Sequence, residues 1–485
     1  MKLSELQPAN VWTIFESITR VPRPSKHEEH IRAFLLDFAQ QHNLAARQDD
    51  CGNVAISKPA SPGCENIPAI VLQAHMDMVC EKNDNVTHDF THDAIRTIID
   101  GNIVRADGTT LGADDGIGIA AALAVVTDDT IQHGPIECLF TVDEETGLTG
   151  ADNLGQNMIT GRTLLNLDSE EEGQIYIGCA GGCSTIATFG IETEAVEGNV
   201  LGLRVTVGGL QGGHSGGDIH LGRGNANKII ARFAQQAMED NGLRLSDIHG
   251  GNLHNAIARE ASLEGIVPFS ERENIRVAFN IFVAEMQDEL HATDSGLTMT
   301  METVDTPRAV FTNDFQHRLV GALIACPHGV IEMNHEIDNL VETSTNLASI
   351  ARRENSIVVC TSQRSSVESA KLYVQRMCRS LFELAGASVE CGDGYPGWQP
   401  NVNSPILQIS TEVYRRMFRR EPQVMAIHAG LECGLFLEKY PQLDMISFGP
   451  TLRGVHSPDE CIEIETVAQF WDFLVGIIEE FAKQK

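Results

Sequence analysis

The chain has 485 residues, of which 42% are hydrophobic and 21% are charged, and its formal net charge at pH 7 is −32. This length exceeds the size at which single hydrophobic cores stop growing, so we expect two domains, and the composition is that of a soluble globular protein. The negative charge disfavours nucleic-acid binding, because phosphate recognition needs clustered Lys and Arg.

Three simple patterns bear on the cellular location of the protein. The longest apolar stretch, 117–126, is shorter than the roughly 20 residues that span a bilayer, and the N-terminus lacks the basic start and apolar run of a signal peptide. The 12 cysteines include no CxxC pair, which argues against a disulfide framework or a cysteine zinc site. We therefore expect a cytoplasmic protein with reduced thiols and no membrane partner.

The first third of the chain predicts an α/β domain. A capping box at 25–28 opens an amphipathic helix that runs to residue 39. Apolar runs rich in β-branched residues predict strands over 67–73, 136–142 and 164–167. A helix of small residues is predicted between the first two of these strands.

The middle of the chain predicts a separate α+β domain, because strand-like runs alternate there with helical ones. The α/β pattern resumes after a turn rich in Gly, Pro and Asn. We therefore predict one α/β domain, with a mixed sheet flanked by helices, formed by residues 1–188 and 393–485. An inserted α+β domain would occupy 189–392. No internal repeat is visible in the sequence.

Five short segments carry side chains that suit a metal site. They are His75-Met76-Asp77, Asp114-Asp115, Glu144-Glu145, Asp168 and His456. Three of them follow buried predicted strands, where a run of solvated charges should not begin. The carboxyl edge of an α/β sheet is also where ligands bind. The segments are therefore candidates for one shared site.

The residue types match a two-zinc centre. Catalytic zinc takes His nitrogen and carboxylate oxygen, and two zinc ions about 3.5–4 Å apart need a bridging carboxylate with terminal ligands for each. His75 and His456 supply one imidazole per metal. Asp168 and Glu145 supply terminal carboxylates, and Asp114 supplies the bridge.

Glu144 is then left free to move a proton. Each segment alone has a plainer interpretation: His-x-Asp arises by chance, an acidic run is usually a solvated surface, and Asp-Asp before a helix is usually an N-cap. The repeated placement after buried strands favours the site.

The order of these segments resembles the M20 family of co-catalytic zinc peptidases, and within it the aminoacyl-histidine dipeptidase branch. The resemblance runs nearly end to end. It includes AHMDMV (74–79), TTLGADDGIGIAAALAV (109–125), DSEEEGQIYIGCAGG (168–182), GGHSGGDIHLGRGNANK (212–228), YPGWQPNVNSP (395–405), HAGLECG (428–434) and HSPDE (456–460).

The resemblance implies a catalytic domain that holds two Zn²⁺ ions and an inserted lid domain. One zinc would be held by His75, Asp114 and Asp168, and the other by Asp114, Glu145 and His456. The sequence leaves open whether zinc, manganese or cobalt works best, since N/O sites bind several divalent ions.

The family pattern also assigns Glu144 as the general base and Asp77 as the carboxylate that orients the neighbouring imidazole. Two departures from the pattern are Asp115, where relatives often have Asn, and Ala258, where they often have Pro. Neither departure touches a proposed ligand.

The inserted domain contributes three further candidates, and the second part of the α/β domain contributes a fourth, Glu432. His214 resembles the family histidine that closes over the substrate carbonyl, although its Gly-rich segment could be only a tight turn. Asn255 and Arg259 are candidates for binding a free carboxylate, but Arg259 could instead pair with Glu260. Glu432 could hold the substrate's free amine, or its segment could be a structural loop.

The implied activity is hydrolysis of unblocked dipeptides, Xaa-His and β-Ala-His among them, by zinc-activated water. A sister activity (aminoacylase, deacylase or tripeptidase) would share every zinc residue. A non-catalytic metal-binding protein is a second alternative, but it should lack the base or a ligand, and every position is filled. By analogy with relatives we expect a homodimer through the inserted domain and a small peptide as the only other partner.

Overall fold

The computed structural model describes residues 2–483. The helices in chain order are α1 (Ala9–Ile18), α2 (Glu29–Gln41), α3 (Ala113–Thr127), α4 (Glu144–Gly147), α5 (Thr149–Asp152), α6 (Ala226–Asn241), α7 (Arg272–Glu289), α8 (Asn313–Ala325), α9 (Glu368–Leu384), α10 (Pro405–Phe418), α11 (Glu432–Lys439) and α12 (Ile464–Phe481). None of these helices has the length and apolar character that crossing a membrane requires.

The strands alternate with these helices along most of the chain. They are β1 (Ala45–Gln48), β2 (Val54–Lys58), β3 (Ile70–His75), β4 (Thr97–Asp100), β5 (Ile103–Ala106), β6 (Ile136–Thr141), β7 (Thr163–Asn166), β8 (Gln174–Cys179), β9 (Gly181–Gly190), β10 (Thr193–Ala195), β11 (Val200–Gly208), β12 (Arg244–Gly250), β13 (Ala261–Pro268), β14 (Thr298–Val304), β15 (Ala309–Phe311), β16 (Gly329–Met333), β17 (Val341–Arg353), β18 (Ser356–Ser365), β19 (Ser388–Cys391), β20 (Gln423–Ile427), β21 (Asp444–Ser447), β22 (Leu452–Arg453) and β23 (Cys461–Glu463).

The chain divides into two compact units. The first contains residues 1–178, 398–426 and 431–485, and the second contains 179–397 and 427–430. The first limit lies ten residues before the expected 188/189 boundary, because β9 pairs along its whole length with β18 and so belongs to the second unit. The second limit lies five residues after the expected 392/393 boundary.

The first unit is built on an eight-stranded mixed sheet with the order β1-β2-β6-β3-β7-β21-β8-β20. Strands β6, β3, β7 and β21 run parallel at its centre. β3 and β6 are buried at every position, as the continuous apolar runs of strands covered on both faces should be. Their carboxyl ends therefore meet at one edge of the sheet. The predicted mixed sheet flanked by helices is confirmed.

A second, four-stranded sheet of the first unit has the order β22-β23-β5-β4. The hairpin of β22 and β23 carries the loop 454–460 at its tip. β23 pairs with β5, and the chain leaves β5 toward the start of α3. This sheet therefore connects the loop that contains His456 to the segment that contains Asp114.

The second unit contains a nine-stranded antiparallel sheet in which one topology occurs twice. β11–α6–β12–β13–α7–β14 has the strand order β14-β11-β13-β12, and β9–α8–β17–β18–α9–β19 has the matching order β19-β9-β18-β17. The two βαββαβ halves meet where β12 pairs with β17, at Gly250 and Ile350. The first half is inserted between β9 and α8 of the second. No sign of this repeat is visible in the sequence.

The core of the second unit lies on one face of this sheet. Along β11, Leu203, Val205 and Val207 point into a cluster with Phe233 and Phe279 of the helices, while the residues between them are more exposed. This alternation is that of a sheet with one face packed and one face open. The α+β character predicted for the inserted segment is therefore confirmed.

Candidate functional site

His75 lies at the carboxyl end of β3 and is buried. Its Nε2 is 2.9 Å from Oδ1 of Asp114 and 3.3 Å from Oδ1 of Asp168. Asp168 follows β7, which is the parallel neighbour of β3, so the sheet itself brings these two residues together. Asp114 comes from the first turn of α3, where its backbone is not helical.

His456 forms a second group around the same aspartate. Its Nε2 is 3.3 Å from Oδ2 of Asp114 and 2.9 Å from Oε2 of Glu145. The two oxygens of Asp114 therefore face different imidazoles. The structure brings all five residues predicted as metal ligands into one cluster, in two groups that share Asp114.

The geometry fits metal binding. Two ligands of a tetrahedral zinc ion with bonds of about 2.1 Å lie about 3.4 Å apart. The four imidazole–carboxylate separations of 2.9–3.3 Å are close to this value. Oε1 of Glu145 is buried and has no hydrogen-bond partner among the described residues. A buried acceptor without a donor is costly unless a cation satisfies it.

The charge of the cluster also favours a cation. Although burial opposes it, the carboxylates of Asp168 and Asp114 raise the pKa of His75 well above its usual range. Hydrogen bonds to Asp114 and Glu145 raise the pKa of His456 to about 11. Burial beside other carboxylates raises the pKa of Asp168. The site thus contains more buried acid groups than two imidazoles neutralise, and buried charges require a partner or a metal.

Asp77 is buried next to this cluster. Its Oδ1 lies 3.4 Å from Nδ1 of His75, on the side of the ring away from Asp114. The same carboxylate accepts the backbone N–H groups of Glu144 and Glu145, at 3.0 and 3.2 Å. Although burial opposes it, the interaction with the nearby His75 imidazole lowers the pKa of Asp77 to about 2. Asp77 therefore holds an imidazole and the first turn of α4 together.

Glu144 occupies the first position of α4 beside the cluster. Burial, together with the neighbouring carboxylates of Asp168 and Glu432, raises its pKa well above the usual range for glutamate. Its carboxylate makes no hydrogen bond or ion pair with the described residues. It is thus a carboxylate next to the proposed ligands that is free to exchange a proton.

Glu432 begins α11 and is almost fully buried, so the alternative of a structural loop does not describe it. Oε2 accepts hydrogen bonds from Gln73 at 2.7 Å and Thr141 at 2.8 Å. Oε1 has no partner among the described residues. Burial raises the pKa of this carboxyl to about 7. One acceptor of a fixed acid group therefore remains available.

In the second unit, His214 lies in the loop after β11. Nδ1 of its ring accepts hydrogen bonds from the backbone N–H groups of Gly216 at 3.3 Å and Gly217 at 3.0 Å. The backbone N–H of His214 donates to the Asp218 carboxylate. Because Nδ1 is an acceptor here, the proton of the neutral ring lies on Nε2. The loop therefore leaves Nε2 as the donor nitrogen of the His214 ring.

Asn255 and Arg259 line a cavity of about 760 Å³ together with His214. Both side chains are exposed. The alternative pairing of Arg259 with Glu260 does not occur, and Arg259 has no ion pair within the described part of the chain. The second unit therefore places an amide and an unpaired guanidinium around one cavity.

Two further residues were missed by the sequence analysis. Arg364 on β18 is 8% exposed, donates to the Tyr395 hydroxyl at 2.9 Å, and keeps a buried Nε without an acceptor. His428 lies 2.7 Å from Oγ of Ser344, and burial, with Arg364 nearby, lowers its pKa to about 3. The only sequence signal that could have indicated Arg364 is its position as the single basic residue of the polar run 361–366.

The fold and the site define a peptidase: residues 71–480 match the family described as Peptidase family M20/M25/M40, and the chain belongs to this family. It is 42% identical over 479 residues to the cytosol non-specific dipeptidase of Escherichia coli (strain K12), with 99% of each protein covered. The predicted M20 membership is confirmed.

Solved structures agree with this assignment. The aminoacylhistidine dipeptidase from Vibrio alginolyticus is 45% identical, with a TM-score of 0.93 over 99% of this chain and 98% of that one. The aminopeptidase PepT from Bacillus cereus matches with a TM-score of 0.63 over 99% and 100%, and at 18% identity this likeness concerns the fold alone.

Proposed function

We propose that the chain is a two-metal dipeptidase that hydrolyses unblocked dipeptides, including Xaa-His and β-Ala-His. The observation that carries this proposal is Asp114, whose two oxygens face His75 and His456 at 2.9 and 3.3 Å. A carboxylate between two imidazoles, each with a further carboxylate, is the arrangement that a bridged metal pair needs.

The metals would be two Zn²⁺ ions per chain, with Mn²⁺ or Co²⁺ able to substitute. His75, Asp114 and Asp168 would hold one, and Asp114, Glu145 and His456 the other. When bound, such ions polarise a carbonyl and lower the pKa of water from about 15.7 to roughly 7. Asp77 would keep the His75 ring in the orientation and tautomer that the site requires.

Glu144 would act as the general base. Its carboxylate has no competing partner among the described residues, so it is available to accept a proton from water and later return it to the leaving amine. Proton transfer of this kind contributes about 10²–10⁴-fold to the rate.

His214 would donate from Nε2 to the oxygen of the scissile carbonyl. The acceptance of two backbone N–H groups by Nδ1 supports this role, because it leaves the proton on the other nitrogen. A donor that is fixed before the reaction stabilises developing negative charge without a reorganisation cost.

The two termini of the substrate would be recognised by opposite charges. Arg364, with a buried and unsatisfied Nε, would bind the free carboxylate together with Asn255, and Arg259 is an additional candidate. The free Oε1 of Glu432 would accept the free amine. Requirements at both ends restrict the substrate to short unblocked peptides.

The proposed substrate preference and cellular location are supported by the names of the similar proteins. The names of the Escherichia coli and Vibrio alginolyticus relatives support dipeptides as substrates, histidine at the second position and a cytoplasmic location.

A homodimer through the second unit is supported by large apolar side chains exposed on its helices, such as Val277 at 58% and Leu384 at 88%. Sedimentation of a Leu384→Glu variant tests the dimer, which should weaken.

The deciding experiment is hydrolysis of β-Ala-His, Gly-His and an N-acetyl amino acid by chelator-treated protein with and without added Zn²⁺. We expect zinc-dependent cleavage of the two unblocked dipeptides only. Cleavage of the acetyl compound alone would instead identify an aminoacylase or deacylase. A tripeptidase would cleave Gly-Gly-His in preference to either dipeptide.

A further inference from the structure

Glu460 is a buried carboxylate that lies four residues after His456 on the loop between β22 and β23. Its Oε2 accepts the backbone N–H groups of Leu111 at 2.8 Å and Gly112 at 3.1 Å. Its Oε1 accepts those of Ala113 at 2.7 Å and Asp114 at 3.4 Å. One side chain thus receives four consecutive backbone donors.

These donors belong to the turn that opens α3. The first N–H groups of a helix have no partner within the helix and are usually satisfied by a nearby side chain. The N-cap position is occupied by Gly112 at φ 68°, which has no side chain, and the backbone is not yet helical at Asp114 and Asp115. The regular part of the helix is capped locally, because Oδ1 of Asp115 accepts the Gly118 N–H at 3.1 Å. Glu460 satisfies the four N–H groups of the turn that precedes this cap, and it does so from a distant part of the sequence.

The loop that carries Glu460 is itself braced. The Glu460 N–H donates to the Ser457 carbonyl at 3.0 Å, and the Ser457 hydroxyl donates to the Gly454 carbonyl at 2.7 Å. His456 lies within this braced loop at φ 61°. The position of the Glu460 carboxylate therefore fixes the distance between His456 and the turn that carries Asp114.

Arg23 holds the same turn from its other side. Its guanidinium is buried and donates to the carbonyls of Met76 at 3.0 Å and Asp77 at 2.6 Å, and also to the carbonyl of Gly112. Arg23 thus connects the 112–114 turn to the segment after β3, while Glu460 connects it to the His456 loop. The backbone of the turn is thus held from two sides by side chains that are distant in sequence.

We propose that Glu460 is a positioning residue that sets the affinity of the metal site formed by Asp114, Glu145 and His456. This inference rests on the proposed two-metal function. Glu460 acts through the backbone of 111–114 and touches no proposed ligand side chain. Because it orders the turn before any ion binds, less ordering entropy is lost when an ion binds.

The test is a Glu460→Gln variant. A carboxamide offers one acceptor oxygen and turns its NH₂ donor toward backbone donors, so at least one N–H loses its partner. We expect a folded protein in which one of two Zn²⁺ ions binds about 10- to 100-fold more weakly, the range for residues that support ligands. With Co²⁺ the visible absorption of one ion should change. The kcat lost at limiting metal should return at excess metal, with KM unchanged.

Glu137→Gln is the matched control. Glu137 is also a buried carboxylate of the first unit that accepts backbone N–H groups, from Thr160 at 2.7 Å and Gly161 at 2.9 Å, but it lies on β6 at the strand end remote from His75 and Thr141. The Glu137→Gln substitution should lower the thermal stability of the protein and leave its affinity for both metal ions unchanged. If Glu460→Gln binds both ions as tightly as the unsubstituted protein does, the proposal is wrong. If the unsubstituted protein itself binds fewer than two ions, the two-metal function fails first.

A measurement on the unsubstituted protein keeps the test valid if Glu460→Gln does not fold. Hydrogen exchange of the amides of 111–114 should be slow in chelator-treated protein and change little when Zn²⁺ is added, because their acceptor is Glu460. Fast exchange without metal that becomes slow only with metal would show that the ion orders the turn, and would overturn the proposal.

Discussion

The carboxylate of Asp77 lies 3.4 Å from Nδ1 of His75, and the opposite nitrogen of that ring, Nε2, lies 2.9 Å from Asp114. The imidazole is therefore held on one side by an acid group that also accepts the backbone N–H groups of Glu144 and Glu145. One buried aspartate thus supports a proposed ligand, the proposed base and a second proposed ligand.

Asp77→Asn should weaken metal binding by about 10- to 100-fold, because an amide neither orients the imidazole through a charged acceptor nor raises its basicity. Titration of chelator-treated protein with Zn²⁺ measures this change. Ser25→Ala is the control, since it removes only the hydroxyl that donates to Asp77 at 2.8 Å. Equal affinities for Asp77→Asn and the unsubstituted protein would contradict the assigned role.

Glu144→Gln should retain both metal ions and lose about 10²–10⁴-fold in kcat, because the substitution removes the base and keeps the shape of the side chain. Metal content and kcat are measured on the same preparation. His456→Ala provides the contrast and should lose metal and activity together. Near-normal turnover of Glu144→Gln would show that another group accepts the proton.

Arg364→Ala should lower kcat/KM for unblocked dipeptides by about 10- to 100-fold, the effect of losing a charge-assisted hydrogen bond of about 1.5–3 kcal/mol. The loss should be much smaller for dipeptides whose C-terminus is amidated, because these lack the negative charge. Arg276→Ala is the control on an exposed arginine of the same unit that has no proposed role in substrate binding. An equal loss on acid and amide substrates would exclude carboxylate recognition by Arg364.

Glu432→Gln should reduce the discrimination between a free and an acetylated N-terminus. The glutamate accepts hydrogen bonds from Gln73 and Thr141 through one oxygen, and the other oxygen would face the ammonium group. Charge-assisted hydrogen bonds are about twice as strong as neutral ones, so kcat/KM for β-Ala-His should fall. Unchanged selectivity would assign amine binding to another residue.

His428 should make the protein less stable in acid. Its pKa in the fold is lowered to about 3 by burial, from an ordinary value near 6.5, so the unfolded chain takes up the proton first as the pH falls. The contribution of His428 to the free energy of unfolding is therefore fully present above pH 6.5 and is lost as the pH falls toward 3. This single group accounts for about 2 kcal/mol between pH 7 and pH 5.

The comparison is between urea midpoints at the two pH values. His428→Gln should show a smaller drop than the unsubstituted protein, because glutamine does not titrate. His249→Gln, on a side chain that is 59% exposed, should show the unsubstituted drop. If all three proteins respond alike, the protonation of His428 does not contribute to acid unfolding.

Local patterns predicted the central strands of the first unit. The strands that end at His75 and Thr141 are continuous apolar runs, and such runs are readable because they are buried on both faces. The helix α7 was not predicted, although Ile275, Phe279 and Phe282 are buried at helical spacing along it. Strand β12 was likewise missed, although Asn241-Gly242 before it and Gly250-Gly251-Asn252 at its end are turn signals.

The sequence by itself determined the inventory of the site. The residue types at 75, 114, 145, 168 and 456, and their placement after buried strands, were enough to predict a cluster of imidazoles and carboxylates, because parallel strands end at the same edge of a sheet. These are local properties of the chain.

Only the tertiary structure decided which groups touch and which remain free. Glu460 reaches Leu111–Asp114, Arg364 keeps a buried Nε without an acceptor, and Glu432 keeps one unpaired oxygen. Each of these facts depends on atoms that are distant in sequence, so no local pattern encodes it. Hydrogen bonding and burial are decided by all the neighbours in space, and the sequence shows only the neighbours along the chain.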